Sequence, residues 1–201
     1  MVKVLFVIVL CLLSGLNILA QRFEASAIVG MNAAQIDGDL LFGYNKPGIQ
    51  AGISVYYPYR ENIKLSLEML YCQRGSQDGF AFGGEDDDRL RTSLNYASFP
   101  LISNFLFFKD EGLEKYKLKI SPGLAYSYLI EGKSPGGGIT DNENFRKHDL
   151  SFLAGLSYLI ANNVWIGFRY TRSVVGAIDI PARDEAALIG YFLNFRLEIN
   201  L

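Results

Sequence analysis

The periodicity of the chain changes near Gln21, and this change limits the possible folds more than any other feature. Residues 4–20 are almost continuously apolar. Beyond them, apolar and polar residues alternate one by one in segment after segment, which is the period of two expected for β-strands with two different faces. The pattern is typical of an exported β protein.

The first 20 residues have the order of a cleaved signal peptide. One early cation, Lys3, precedes an apolar stretch and a polar, small-residue region that ends at Ala20. A transmembrane helix is the alternative, but it needs about 20 apolar residues, and Ser14 interrupts the stretch too early. We therefore predict a signal peptide at residues 1–20 and a mature domain at residues 21–201.

Charge and cysteine content exclude two classes of protein. Lys3 leaves with the signal peptide, so 19 cations against 21 anions become 18 against 21. This mildly acidic balance gives no basic footprint for nucleic acid. Cys72 is then the only cysteine of the mature domain, so no intramolecular disulfide can hold the exported fold.

Alternation along the mature domain predicts eight strands. In the third, for example, Leu65 and Leu67 oppose Ser66 and Glu68. Pro100 indicates a bulge or irregular pairing and Pro122 a local bulge, and the strand with Pro100 has no assignable faces. The predicted strands cover residues 23–34, 48–57, 63–73, 91–108, 115–130, 148–158, 164–172 and 186–201.

The connections between these strands alternate strictly in length. This sorting is typical of an up-and-down outer-membrane barrel, in which long loops lie outside and short turns lie in the periplasm. A soluble β-sandwich would permit the same alternation of faces, but it has no reason to sort its loops by end. The long connections cover residues 35–47, 75–90, 131–147 and 173–185, and the short ones cover residues 58–62, 109–114 and 159–163.

We therefore predict an all-β protein, an eight-stranded antiparallel up-and-down transmembrane β-barrel in the bacterial outer membrane. Its apolar faces meet outer-membrane lipid, and its polar faces fill the lumen. Aromatic girdles are expected near the ends of the outward faces. Candidate girdle residues are Tyr57, Tyr71, Tyr116 and Tyr128.

Inward-facing charges are the candidate functional residues. Eight strands enclose a space that side chains can fill without leaving an aqueous channel. Unpaired charges there would be costly, so we predict a salt-bridged, hydrogen-bonded plug; the alternative is a small polar pore or ligand site. The predicted network comprises Glu24, Lys64, Glu68, Lys117, Lys119, Asp149, Arg169, Arg196 and Glu198.

Catalytic, metal and cofactor sites are not expected. The single histidine, His148, has Ser134, Asp141 and Asp149 nearby in sequence, but proximity in sequence does not establish a triad. The acidic run at 85–88 offers the clustered oxygens that hard cations favour, yet its spacing does not match an EF-hand, and acidic runs are usually solvated.

One segment resembles a known family. Residues 30–55, GMNAAQIDGDLLFGYNKPGIQAGISV, are similar to the opening hairpin of the PorT-like outer-membrane barrel proteins of Bacteroidetes, in which Ile-Asp-Gly-Asp and Gly-Tyr-Asn-Lys-Pro-Gly recur. Similarity continues in the Tyr-x-x-x-Pro-Leu stretch at residues 96–101 and in the pair Arg169-Tyr170.

The resemblance implies a small non-enzymatic barrel, similar in size to OmpX and OmpA, that assists or scaffolds a type IX secretion or other envelope complex. Envelope or secretion proteins would then be its partners. An OmpX-like surface barrel, whose extracellular loops mediate adhesion or ligand binding, is the alternative. A lipid-modifying enzyme is the third and weakest hypothesis.

Overall fold

The described part of the chain forms eight β-strands, one for each predicted segment. The computed structural model describes residues 23–37, 44–77, 91–110, 112, 114–133, 145–174 and 189–201. The predicted signal peptide lies outside them, and within them no helix is long and apolar enough to cross a membrane. The strands are β1 (Glu24–Asp37), β2 (Lys46–Arg60), β3 (Ile63–Gln77), β4 (Arg91–Asp110), β5 (Lys115–Lys133), β6 (His148–Ala161), β7 (Val164–Ser173) and β8 (Ile189–Asn200).

The strands close into one antiparallel barrel in chain order. Each strand pairs with its neighbour in sequence, and β8 returns to pair with β1, for example through Ala27 opposite Ile199. Ala27 also lies opposite Ile53 of β2, so β1 is hydrogen-bonded on both sides. Closure removes the exposed edges at which an apolar sheet would aggregate. The predicted eight-stranded up-and-down barrel is confirmed.

The two faces of each strand have opposite chemistry, and the apolar face is outside. Met31, Ile53 and Leu67 point outward and are more than half exposed, whereas Ser54 and Glu68 point inward and are almost fully buried. A soluble protein would bury its large apolar side chains. The inversion is expected for a barrel whose outer surface meets hydrocarbon, and the sandwich alternative is wrong.

The faces of β4, which the sequence leaves unassigned, are resolved in the structure. From Leu94 to Leu106 its even-numbered residues, including Tyr96 and Ile102, point inward and are buried, while Leu101 is exposed. One register shift against β5 lies between Asn95 and Tyr96. Because several inward residues of β4 are as apolar as the outward ones, hydropathy alone could not separate the two faces.

Neither proline forms a bulge, but the irregular pairing predicted at Pro100 is present, because the β3–β4 ladder has no pair between Leu67–Leu101 and Leu70–Ser98. Pro100 lies opposite Ala125 of β5, and Pro122 lies opposite Ala154 of β6, both without a shift in register. The missing proline N–H removes one donor but adds no residue. The strands therefore continue in step through both positions.

Alternation breaks where β4 and β5 approach their short turn. Phe108 has a φ of 57°, a left-handed conformation that a bulky residue rarely adopts, and this interrupts the pleat. Tyr116, predicted to face outward in a girdle, instead packs against an inward cluster. Lys117, predicted to face inward, forms an ion pair with Asp110. The inward cluster comprises Leu106, Leu159 and Trp165.

Candidate functional site in the barrel lumen

A buried carboxylate, Glu68 on β3, is held by two arginines from the far side of the barrel. Arg169 on β7 donates to both Glu68 oxygens at 2.7 and 2.9 Å. Arg196 on β8 donates to the same two oxygens at 3.2 and 2.8 Å. Glu68 is only 1% exposed. Two planar guanidinium groups therefore satisfy one carboxylate in the charge-assisted geometry that gives the strongest hydrogen bonds.

A second ion pair lies beside the first and is also buried. Lys119 on β5 donates to the two oxygens of Glu198 on β8 at 2.9 and 2.8 Å. The hydroxyl of Tyr56 donates to Glu198 Oε1 at 2.6 Å. The Lys119 ammonium also lies 4.7 Å from the ring centroid of Trp165, close enough for a cation–π interaction. Arg196 links the two groups, since it lies 3.9 Å from Glu198.

A third ion pair, toward the long-connection end, involves a residue that the sequence analysis missed. Arg74 on β3 donates to Asp149 on β6 at 2.7 Å and to Ser127 on β5 at 2.9 Å. Its guanidinium stacks over the rings of Tyr96 and Phe192 at 4.8 and 4.4 Å. The predicted third strand ended at residue 73. Continuing its period of two by one residue would have placed Arg74 inside.

Neutral side chains fill the spaces between the charged groups. Asn104 donates to Ser66 at 2.8 Å and accepts from Ser121 at 2.8 Å. Nearer the long connections, Asn194 donates to Asn32 at 2.8 Å. These bonds join neighbouring strands, whereas the bond from Asn32 Nδ2 to Cys72 Sγ, at 3.2 Å, joins β1 with β3, which are not neighbours. The neutral hydrogen bonds therefore run mainly along the wall of the lumen, and the ion pairs cross it.

The three ion-paired groups together carry one more positive charge than negative charges. Because each charge has an opposite charge in contact, burial is tolerable, although desolvation offsets much of the Coulomb gain. Tight lumenal gaps lined by these groups have volumes of about 0 and about 10 Å³. The groups contain four cations, Arg74, Lys119, Arg169 and Arg196, and three carboxylates, Glu68, Asp149 and Glu198.

Three of the predicted network residues lie apart from these groups. Glu24 and Lys64 form their own pair at 2.7 Å, at the short-turn end of the barrel. Their side chains are 48% and 26% exposed. Lys117 pairs with Asp110. The structure therefore brings together six of the nine predicted charges and adds Arg74 to them.

A cavity of about 490 Å³, called the vestibule below, opens at the short-turn end. Its floor includes the Lys119–Glu198 pair, and one wall is apolar. Ion pairs surround the opening, among them Lys109 with Glu61 at 2.7 Å. That hydrogen bond, followed by the attraction of the Lys109 charge, lowers the pKa of the Glu61 carboxyl. The apolar wall comprises Leu106, Tyr116, Leu159 and Trp165.

His148 lies outside the lumen, at the start of β6. Its Nδ1 is 2.7 Å from the Tyr126 hydroxyl, and its ring meets that of Tyr128 edge-on at 5.5 Å. Ser134, Asp141 and the acidic run at 85–88 fall outside the described residues. Among the residues that are described, no three His, Cys, Asp or Glu side chains are grouped to hold a metal ion.

Comparison with known proteins agrees with the architecture. Residues 17–178 match the family model for the outer membrane protein beta-barrel domain. Comparison with curated proteins gives no significant match.

Two solved structures resemble the fold. Neisserial surface protein A is 15% identical, with a TM-score of 0.50 over 89% of this chain and 97% of that one. The Yersinia pestis attachment invasion locus protein Ail, in complex with the heparin analogue sucrose octasulfate, is 13% identical, with a TM-score of 0.50 over 89% and 99%. Since the family model covers most of the sequence, the chain belongs to the outer membrane protein β-barrel domain family and is a protein of the bacterial outer membrane.

Proposed function

We propose that this protein is a non-conducting, non-enzymatic outer-membrane barrel that assists or scaffolds an envelope complex through its periplasmic mouth. A type IX secretion complex is the partner that the PorT-like opening hairpin favours. Short turns of outer-membrane barrels face the periplasm. The vestibule therefore opens to the compartment in which envelope complexes assemble.

The observation that carries this proposal is the contrast between the middle of the lumen and its periplasmic end. In the middle, three layers of ion pairs leave gaps with room for no more than about one water molecule. At the periplasmic end, a cavity of about 490 Å³ combines an apolar wall with charged groups, within the size range of about 300–1,000 Å³ typical of binding pockets. A plugged barrel with an open mouth suits docking better than transport.

Single-channel recording tests the plug. The purified protein, reconstituted in a planar bilayer, is expected to show no large, stable conductance. A reproducible open channel would contradict the proposal, because permeation requires a continuous aqueous path through the ion-paired layers.

Affinity purification from native membranes tests the docking role. Asn163 lines the vestibule and Arg60 lies on the same end of the barrel outside it; both are exposed. The variant Asn163→Trp is expected to lose envelope or secretion proteins that co-purify with the wild type, whereas the matched control Arg60→Trp retains them. Equal recovery with both variants would rule out the vestibule as the docking site.

An OmpX-like surface barrel is the second candidate. Four long connections lie at the end that faces outside, and Ail, which shares the fold, was solved with a heparin analogue. Deleting residues 134–144 from the third long connection is then expected to abolish binding of cells to a surface ligand while the barrel stays folded. Under the periplasmic proposal the same deletion leaves co-purification unchanged.

A further inference from the structure

The outer wall formed by β7, β8 and β1 changes character along its length. Phe168 lies opposite Phe195, and one outward step nearer the long connections Tyr170 lies opposite Leu193. The next outward pair is Arg172 and Tyr191. The wall is therefore fully apolar at the first level, mixed at the second, and cationic and phenolic at the third.

A recess of about 310 Å³, called the wall groove below, lies on this surface. Tyr44 and Pro47, near the start of β2, line one side of it. The Tyr44 ring meets that of Tyr191 edge-on, with ring centroids 5.4 Å apart, so Tyr44 borders the recess. The lining of the groove also includes Met31, Ala33, Phe168, Leu193 and Phe195.

Arg172 supplies the charge above the wall groove. Its side chain is exposed, and across the described residues it makes no ion pair or hydrogen bond. An unpaired guanidinium beside tyrosine rings at the membrane interface is suited to a phosphate group, because its planar donors match phosphate oxygens. The arginines of the lumen differ, since Arg74, for example, already donates to a carboxylate and to a hydroxyl.

We propose that the wall groove is a binding site for one phosphorylated glycolipid of the outer leaflet, with an acyl chain in the groove and a phosphate on Arg172. The long connections mark the outer side of the membrane, which sets the cation at headgroup level and the groove below it in hydrocarbon. Tyrosine rings between the two levels match the aromatic belt expected at the interface. The wall therefore presents an apolar surface to the acyl chain and, one level above, a cation to the phosphate of such a lipid.

Native mass spectrometry of the refolded full barrel tests the site, with diphosphoryl lipid A as the probe. The wild type is expected to retain one lipid A molecule. Arg172→Gln, which removes the phosphate contact, is expected to weaken retention by at least about tenfold. Lys147→Gln is the matched control, since Lys147 is an exposed cation at the same end, on the neighbouring β6 side, and this variant is expected to retain lipid A normally.

A second variant tests the groove itself. Ala33→Phe fills the recess from the lipid-facing side, so the barrel still closes, as gel mobility of the folded form verifies, but lipid A retention is lost. Retention equal to the wild type in both Arg172→Gln and Ala33→Phe would overturn the proposal. Equal loss in Lys147→Gln would reduce the effect to general surface charge and would also overturn it.

Two further probes identify which part of the lipid is recognised. Because the site places one phosphate on Arg172, monophosphoryl lipid A is expected to bind nearly as well as the diphosphoryl form, and dioleoyl phosphatidylglycerol is expected to bind least. Phosphatidylglycerol retained as well as lipid A would show that the groove accepts any anionic lipid, which contradicts the assignment to a glycolipid.

Discussion

Replacing Glu68 with glutamine provides the sharpest test of the lumenal ion pairs. The substitution keeps the size of the side chain but removes the only carboxylate, among the residues that the structure describes, that contacts Arg169. Arg196 loses its shortest carboxylate contact, at 2.8 Å, and keeps only Glu198 at 3.9 Å. Two buried guanidinium groups, 6% and 3% exposed, are left with too little negative charge.

The expected cost follows from this geometry. Removing one partner of a buried, hydrogen-bonded ion pair typically destabilises a protein by about 3–5 kcal/mol, because the other charge stays in a poorly solvated place. Glu24, whose side chain is 48% exposed in its pair with Lys64, is the matched control. An exposed pair of this kind contributes only about 0–1 kcal/mol.

Urea unfolding in lipid vesicles measures the difference. Trp165 is the single tryptophan of the chain and lines the vestibule, so its fluorescence reports on barrel opening. With a slope of about 2 kcal/mol per molar urea, Glu68→Gln is expected to lower the unfolding midpoint by about 2 M, and Glu24→Gln by less than about 0.5 M. Similar midpoints for the two variants would refute the reasoning. The double variant Glu68→Gln/Arg169→Gln should recover part of the loss, since it removes one of the stranded charges.

Three other outcomes are expected. Gly52→Ala should prevent barrel closure, because the added Cβ would lie 2.0 Å from the carbonyl oxygen of Met69; the readout is loss of the fast-migrating folded band on gels. At Gly155 the nearest atom to an added Cβ is 3.4 Å away, so the control Gly155→Ala should fold. Folding of both variants would contradict the close approach of β2 and β3. Cys72 is 1% exposed and accepts a hydrogen bond from Asn32, so in vesicles it should resist maleimide and react only after unfolding. Rapid labelling of the folded barrel would place Cys72 outside the lumen. Intact mass of the protein from outer membranes should correspond to residues 21–201, and a mass that retains Cys11 would contradict signal cleavage.

Much of the fold is predictable from the sequence because the two faces of each strand meet different environments. Hydrocarbon lies on one side and a polar lumen on the other, so side chains at positions 65, 67 and 69 of β3 must differ from those at 66 and 68. This contrast shows where each strand lies in the sequence and which of its side chains face the lipid. Connection lengths then order the strands, because short turns can join only neighbouring antiparallel strands.

The parts that escaped sequence analysis are those in which the contrast weakens. β4 buries Leu94, Ile102 and Leu106 in the lumen, so its inward face is as apolar as its outward one. The left-handed φ of Phe108 is a local backbone property that no pattern of hydropathy records. Partner choice also escapes: Arg169 and Arg196 were expected inside, but their shared contact with Glu68 depends on the curvature that brings β3 opposite β7 and β8.

The lumenal charges also specify strand register. In a barrel that was apolar on both faces, a slip of one residue between strands would change little, since side chains of either face would suit either side. Here a slip of β3 by one residue would turn Glu68 and Arg74 toward hydrocarbon and Leu67 and Met69 toward the lumen. An arginine at the lipid face costs about 0–1 kcal/mol near the interface and about 2–4 kcal/mol near the bilayer midplane, and the former partner of Arg74, Asp149, would lose its ion pair as well. The network therefore selects one register among the possible ones, even where desolvation cancels most of its direct contribution to stability.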